Sequence, residues 1–339
     1  MSTEGRRTIQ IVSHGPACLD GVIAAAAVAR FYSGERVRTA LAANQDSDRT
    51  LAALRPPSDG GPDELWITDL SWTLTATGEH LTRLAHAGVH IYWIDHHRTA
   101  VSRARAPEFK VPFKGRVLSE RFSAARLTFN YLRAKARGLD GARRRRFESF
   151  APFAAIADDH DRWIHRLTES GDWALAVQTL GGMESYREIL RLNEPQMTRR
   201  LRLALEAGRA AMAHSSEIAR ATMVERQFGN GIKLRAACCF GYSSEVAAEL
   251  YAGCVRTVIA LFDLRSQGVS LRRSAECEVD LSALAHVFGG GGHAAAAGFA
   301  QGEVARAPAE KLLELLGHQL ETGVDSHPRS PDRRAPSVV

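Results

Sequence analysis

Short apolar runs at residues 8–13, 64–68 and 89–94 alternate with longer helical patterns at about 19–32 and 74–87. That rhythm reads as βαβ units, and so as an α/β fold built on a parallel sheet. Asp and His fall at the carboxyl ends of the runs. The first run leads into His14, with Asp20 six residues later; the second leads into Asp69; the third leads into Asp95-His96-His97. An apolar segment ending at Ala157, read in the same way, leads into Asp158-Asp159-His160-Asp161. Taken singly, each Asp would serve as a helix cap or loop solvator and each His would be incidental. In an open parallel sheet, however, ligands bind beyond the carboxyl ends of the strands, so four segments deliver carboxylates and imidazoles to one crevice.

Carboxylate oxygen with imidazole nitrogen suits Mn²⁺, Co²⁺, Fe²⁺ or Zn²⁺. A carboxylate on a central strand, such as Asp69, can bridge two ions roughly 3.5–4 Å apart, which activate water and neutralise phosphoryl oxygens.

The chain has 339 residues, 45% hydrophobic and 24% charged, which is an ordinary globular balance and about two domains' worth of length. Of its 44 basic residues, 39 are Arg, and the net charge is +6. Such a bias follows from base composition as readily as from phosphate binding. The run Arg143 to Arg146 reads first as a solvated helix face and second as a polyanion track. The longest apolar stretch, residues 22–29, is far too short to span a membrane, and the amino terminus lacks a signal-peptide pattern. A cytoplasmic protein is expected. Five cysteines without a C-x-x-C pair read as reduced, mostly buried thiols, Cys18 excepted.

Further along, Ser119 is expected to cap a helix running to about Arg137. A long charged pattern at about 195–228 reads as a connecting helix. Strands are expected at 232–240, 256–262 and 269–273, and helices at 244–252, 280–287 and 308–320. The expected division is a metal-site domain over 1–190, a connecting helix over 191–228, a smaller α/β domain over 229–320 and a disordered tail over 321–339. Within the smaller domain, Gly289 to Gly292 and His293 precede four alanines. Backbone N–H groups at Gly291 and Gly292 can approach an anion closely, and a following small-residue helix would add its N-terminal partial charge.

Ile94-Asp95-His96-His97 after a strand resembles the signature of the DHH phosphoesterases, the family of RecJ-type nucleases and nanoRNases. His14-Gly-Pro-Ala-Cys18-Leu-Asp20-Gly21 resembles its first motif, Thr68-Asp69-Leu70-Ser71 its second and Ile156-Ala157-Asp158 its fourth. Ser270-Leu271-Arg272 with Gly-Gly-Gly-His293 resembles the DHH-associated C-terminal domain. The resemblance covers roughly residues 8–320. It implies one ion held by His14 and Asp69, and another held by Asp20, Asp69, His96 and Asp158. His97 and Asp69 would be catalytic, with His97 close to the substrate phosphate. Arg272 and His293, with Gly291 and Gly292, would grip the substrate across a cleft between the lobes.

One position departs from the family. Cys18 stands where the first motif usually has an aspartate, so the site either keeps two ions with a changed metal preference or loses one. Asp159 and Asp161 are alternatives to Asp158 as ligand. The implied activity is a phosphodiesterase or phosphatase, with one or two divalent ions, Mn²⁺ first among them. It would hydrolyse short RNA or DNA oligonucleotides, dinucleotides or nucleotide phosphates to mononucleotides. Long-strand exonucleases of the family usually carry further domains, and processive strand binding wants an aromatic-lined basic groove. The alternatives are a RecJ-like 5′ to 3′ single-strand exonuclease and a degenerate nucleotide-binding protein. An oligomer is compatible with the sequence.

Overall fold

The computed structural model describes residues 6–300 apart from 105, 107, 108, 230 and 252; the expected helix at 308–320 and tail at 321–339 lie outside the described residues. The chain divides into two compact units, Met1–His214 and Ser215–Val339.

The first unit runs β1 (Thr8–His14), α1 (Leu19–Phe31), β2 (Arg36–Ala42), α2 (Ser47–Ala52), β3 (Glu64–Thr68), α3 (Thr75–His86), β4 (His90–Asp95), α4 (Arg98–Arg103) and β5 (Gly115–Leu118). There follow α5 (Ala124–Lys135), α6 (Gly141–Glu148), α7 (Ala151–Asp161), α8 (Ser170–Leu180), α9 (Gly182–Ile189) and α10 (Arg199–Thr222). The long helix α10 links the two units, and the division falls within it.

The five strands form a parallel sheet in the order β2-β1-β3-β4-β5. The chain leaves β1 for β2 on one side and returns to β3 on the other, so the order reverses between β1 and β3. The register pairs Ser13 with Thr68 and Thr68 with Ile94, which brings His14, Asp69 and Asp95 to one end of the sheet. All of β3 and nearly all of β4 is buried, as central parallel strands covered on both faces must be. Trp66 stacks on Tyr92 at 4.1 Å between ring centroids, and Trp93 donates Nε1–H to Leu70 O at 3.0 Å, which ties down the segment after β3.

Helix α1 carries small apolar residues on every side, and Leu19 to Arg30 are all buried, because it packs against β1, α5, α7 and α9 at once. Gly21 permits this: a Cβ there would lie 2.1 Å from His14 O. No larger residue allows α1 to start so close to β1.

The structure corrects four sequence expectations. The edge strands β2 and β5 were not anticipated; one carries Arg36 and Arg38 among its more exposed positions and the other is four residues long, so neither shows a buried apolar run. The cap expected at Ser119 lies at Ser123, whose Oγ accepts from Arg126 N. The apolar segment ending at Ala157 is not a strand but helix α7, which opens with a proline in its first turn; short apolar runs do not distinguish the two by periodicity.

The fourth correction is in the second unit, which comprises β6 (Val224–Gln227), β7 (Lys233–Cys239), α11 (Ser243–Tyr251), β8 (Thr257–Asp263), β9 (Gly268–Arg273), α12 (Leu281–Val287), β10 (Gly291–His293) and β11 (Ala296–Ala300). These strands form a mixed sheet in the order β10-β11-β9-β8-β7-β6. The four alanines after His293 do not open a helix. They turn back as β11, which pairs with β9. The glycines serve this hairpin: a Cβ on Gly290 would come within 2.2 Å of Gly298 O, and Gly292 sits at φ +143°.

Candidate metal centre

Four elements converge beyond the switch between β1 and β3. His14 ends β1, Cys18 and Asp20 open α1, Asp69 follows β3, and His96 and His97 follow β4. Asp69 holds a left-handed backbone conformation, φ +54°, and its N–H donates to Ile94 O at 2.9 Å. A non-glycine residue in that region is uncommon, and such outliers cluster at functional sites.

The two oxygens of Asp69 face different partners. Oδ2 lies 3.4 Å from His14 Nδ1 and 3.5 Å from Cys18 Sγ. Oδ1 lies 3.4 Å from His96 Nε2 and 3.8 Å from His97 Nδ1. His96 Nε2 is also 3.5 Å from Asp161 Oδ2 and 3.8 Å from Asp20 Oδ2. Three sets of donor atoms therefore come within 4.8 Å of one another: His14, Cys18 and Asp69; Asp69, His96 and His97; and Asp20, His96 and Asp161.

Of the three aspartates of α7, Asp161 faces this cluster, while Asp159 accepts from Arg166 N, Leu167 N and Ser170 Oγ. Asp158 instead accepts from Ser123 N at 2.8 Å and pairs with Arg126 at 3.1 Å and Arg162 at 3.6 Å. Asp20 uses both oxygens on the start of α5, accepting from Ala124 N at 2.8 Å and Ala125 N at 2.9 Å. Two buried carboxylates thus meet one helix N-terminus, where unsatisfied N–H groups and the helix dipole favour negative charge.

The charges are strongly coupled. Burial alone would raise the Asp69 carboxyl, yet the imidazoles of His14, His96 and His97 hold it far below the usual range. Burial works against charge on His96, but Asp69, Asp161 and Asp20 carry it up to about 10. Against the same effect of burial, His97 is carried up to about 9, chiefly by Asp95. Burial, with Asp69 and Asp161 nearby, pushes Asp20 up; burial and Asp69 push Asp161 up to about 6.

The residues fit a divalent cation. Asp69 Oδ1 and Asp161 Oδ2 are buried yet accept no well-formed hydrogen bond among the described residues. Carboxylate oxygens in that state are costly unless a cation faces them.

Sequence reasoning gave Asp95 no role. It is fully buried, and its Oδ1 accepts from His96 N at 2.7 Å, His97 N at 3.1 Å and His97 Nδ1 at 2.8 Å, the ring contact assuming that Nδ1 carries the proton. It therefore sets the turn after β4 and the pose of the His97 ring. Also missed was the surround of Phe122, whose ring lies 4.8 Å from the Arg126 guanidinium, 5.3 Å from that of Arg121 and 5.8 Å from that of Arg162. Arg162 comes from α7's end, so no local spacing reveals the group. The Arg143 to Arg146 run lies exposed on α6, with Arg143 3.5 Å from Asp140.

In the second unit, the register pairs His293 with Ala296 and Ala296 with Arg272. Directly opposed residues of antiparallel strands project to the same face, so His293 and Arg272 share a face with only an alanine between them. Arg272 donates to Ser270 Oγ, Leu271 O and Ser244 Oγ, all neutral acceptors. Its neighbour Arg273 reaches Ala294 O, from the face where Leu271 packs with Leu281 and Ala285. Gly291 and Gly292 lie on β10 beside His293.

No protein-family model and no curated protein matches this chain. Solved structures do. A DHH domain described as belonging to a member of the s1p family of ribosomal proteins aligns with a TM-score of 0.61 at 16% identity, over 93% of this chain and 86% of its own. RecJ from Thermus thermophilus, in complex with Mn²⁺, aligns at 0.54 and 16% identity, over 92% of this chain; this chain spans 52% of that RecJ. An exonuclease RecJ bound to manganese aligns at 0.50 and 17% identity, over 90% of this chain and 88% of its own. This chain has the fold of the DHH-domain proteins, with a buried His/Asp cluster able to hold a divalent cation.

Proposed function

We propose that this protein is a metal-dependent phosphodiesterase or phosphatase acting on short oligonucleotides, dinucleotides or nucleotide phosphates to give mononucleotides. The observation that carries the reading is Asp69: one buried carboxylate, at the point where strand order reverses, turns its two oxygens toward two separate donor sets. Such a carboxylate suits a pair of cations. His14, Cys18 and Asp69 would hold one, and His96, Asp20, Asp69 and Asp161 the other, with Asp158 held back by its own ion pairs. Divalent ions, with Mn²⁺ the first candidate at the second of these positions, would activate water and offset phosphoryl charge.

The chain's own groups supply the rest. His97, its Nδ1 held by Asp95, is placed beside the cluster to offer its other ring nitrogen to a phosphoryl oxygen. Charge on that ring is favoured by Asp95 and Asp69, which suits it to bind an anion. In the second unit, Arg272, His293 and the N–H groups of Gly291 and Gly292 are assigned to the substrate's phosphate or terminal nucleotide. Support for Arg272 comes from its hydrogen bonds, all to neutral acceptors, with Glu245 the acidic group whose charge it feels. Short substrates are preferred to long strands in this reading because Trp163 is the one exposed large aromatic among the described residues of the unit that carries the metal cluster, the other exposed rings being Phe228, Phe240 and Phe288 in the second unit. A processive strand binder stacks successive bases on several such rings.

The test is turnover across a panel of dinucleotides, short RNA and DNA oligonucleotides, nucleoside 3′,5′-bisphosphates and a long single strand, with Mn²⁺ present and absent. Release of mononucleotide from the short members, lost in Asp69→Asn, supports the reading. Preference for the long strand would make it a RecJ-like exonuclease. Binding without turnover under every metal would make it a nucleotide-binding protein.

A further inference from the structure

Cys18 occupies the N-cap position of α1, with extended backbone angles φ −91° and ψ 121°, and makes no capping hydrogen bond. Caps are ordinarily Ser, Thr, Asp or Asn, whose oxygens accept from the first turn. A cysteine's sulfur is only a weak acceptor, and here Sγ–H donates to Asp69 Oδ2, 3.5 Å away. The same oxygen lies 3.4 Å from His14 Nδ1. The three atoms lie within 4.8 Å of one another. The other oxygen of Asp69 is buried without a well-formed hydrogen bond, and the side chain is 2% exposed. A thiol, an imidazole and a carboxylate thus converge on a point away from the oxygen-rich set of Asp20, His96 and Asp161.

We infer that His14, Cys18 and Asp69 form a thiolate-containing cation position that selects Zn²⁺, Co²⁺ or Fe²⁺ over Mn²⁺ and Mg²⁺. The adjoining set of Asp20, His96, Asp161 and Asp69 lacks sulfur and discriminates less against Mn²⁺. The pair is therefore chemically unequal: one soft position and one hard one share a carboxylate. The reason is ligand softness. Thiolate stabilises the borderline and softer ions strongly and Mn²⁺ weakly, while carboxylate and imidazole discriminate less. As the sulfur–metal bond forms, the Sγ–H proton leaves to solvent. The inference rests on the metal-centre reading above, but it is tested by binding alone.

The experiment uses the full chain stripped of metal, together with Cys18→Ser and Cys18→Asp, each checked by circular dichroism for an unchanged fold. Cobalt titration should give a sulfur-to-cobalt charge-transfer absorption in the native protein. Cys18→Ser should lose it while still binding cobalt through the remaining ligands. Cys238, Cys239, Cys254 and Cys277 are retained in every variant, so the difference reports Cys18. In dialysis against equal Zn²⁺ and Mn²⁺, the native protein should hold one Zn²⁺ in preference to Mn²⁺. Cys18→Asp should shift that ratio toward Mn²⁺ by about tenfold or more. The inference falls if cobalt gives no charge-transfer band, if Cys18→Ser keeps the band, or if the Zn²⁺ to Mn²⁺ ratio does not move in Cys18→Asp. A protein whose Mn²⁺ binding is lost in Asp69→Asn but untouched by either Cys18 variant would retain the metal centre and refute only the thiolate position. No binding of any divalent ion would refute both.

Discussion

Asp95 supplies the sharpest test of how the site is held. It is not itself in any of the donor sets, yet three donors converge on its Oδ1, two from the turn that carries His96 and His97 and one from the His97 ring. Asp95→Ala strands the two backbone N–H groups in a buried place. At about 1–3 kcal/mol for each buried donor left unsatisfied, the expected loss of stability is roughly 2–6 kcal/mol. Asp95→Asn differs: its carbonyl oxygen can keep all three bonds, and the new NH₂ falls where Oδ2 is buried without a hydrogen-bond partner among the described residues. That costs about 1–3 kcal/mol and removes the charge that fixes the imidazole. Partners that orient a site's residues in this way are typically worth about 10–100-fold in metal affinity or activity. Urea unfolding, calorimetric Mn²⁺ titration and dinucleotide kinetics should therefore show a folded Asp95→Asn protein that keeps its full metal stoichiometry. Its kcat should fall by about 10–100-fold. Complete loss of bound metal in Asp95→Asn would make Asp95 a ligand and refute the positioning role; unchanged kcat would refute the importance of the His97 pose.

Asp69→Asn should retain the fold, since asparagine tolerates the left-handed backbone well, while losing turnover and metal at both positions; retention of full stoichiometry by elemental analysis would contradict the shared-carboxylate geometry. Arg272→Ala and His293→Ala should raise KM for a dinucleotide more than they lower kcat, and unchanged KM in both would remove the second unit from substrate binding. Gly21→Ala places a methyl on His14 O and, because backbone cannot yield as a flexible side chain can, should cost on the order of 3 kcal/mol; a Tm indistinguishable from the native value would contradict the close approach of α1 to β1. Asp48 takes hydrogen bonds from Thr73 N, Thr73 Oγ, Leu74 N and Thr77 Oγ at the start of α3. Despite some desolvation, these bonds hold its carboxyl below the ordinary value. The stability it confers should be full above the unfolded carboxylate range, near about pH 4, and decline as pH falls through the lower folded value; an Asp48→Ala penalty of about 1–2 kcal/mol at neutral pH that fails to shrink on acidification would contradict that assignment.

What could be read from sequence, and what could not, follows from how local each determinant is. Strands β1, β3 and β4 are buried on both faces and announce themselves as apolar runs, and the residues just past them were legible as a cluster because a parallel sheet puts consecutive strand ends together. The edge strands were silent because half of each faces water. The alanine hairpin of the second unit was misread because alanine and glycine favour a helix and its cap locally, whereas here β9 offers an open edge, and pairing with it decides the conformation. Asp158 and Asp161 show the same limit at the site itself. Read as following a strand, Asp158 is the first residue available; placed on α7, the two lie three residues apart on a helix. Which one meets His96 is then decided by what occupies the other. Ser123 N, Arg126 and Arg162 claim Asp158, two of them from a segment more than thirty residues away. Asp161, with no such claimants among the described residues, is left to face the histidine.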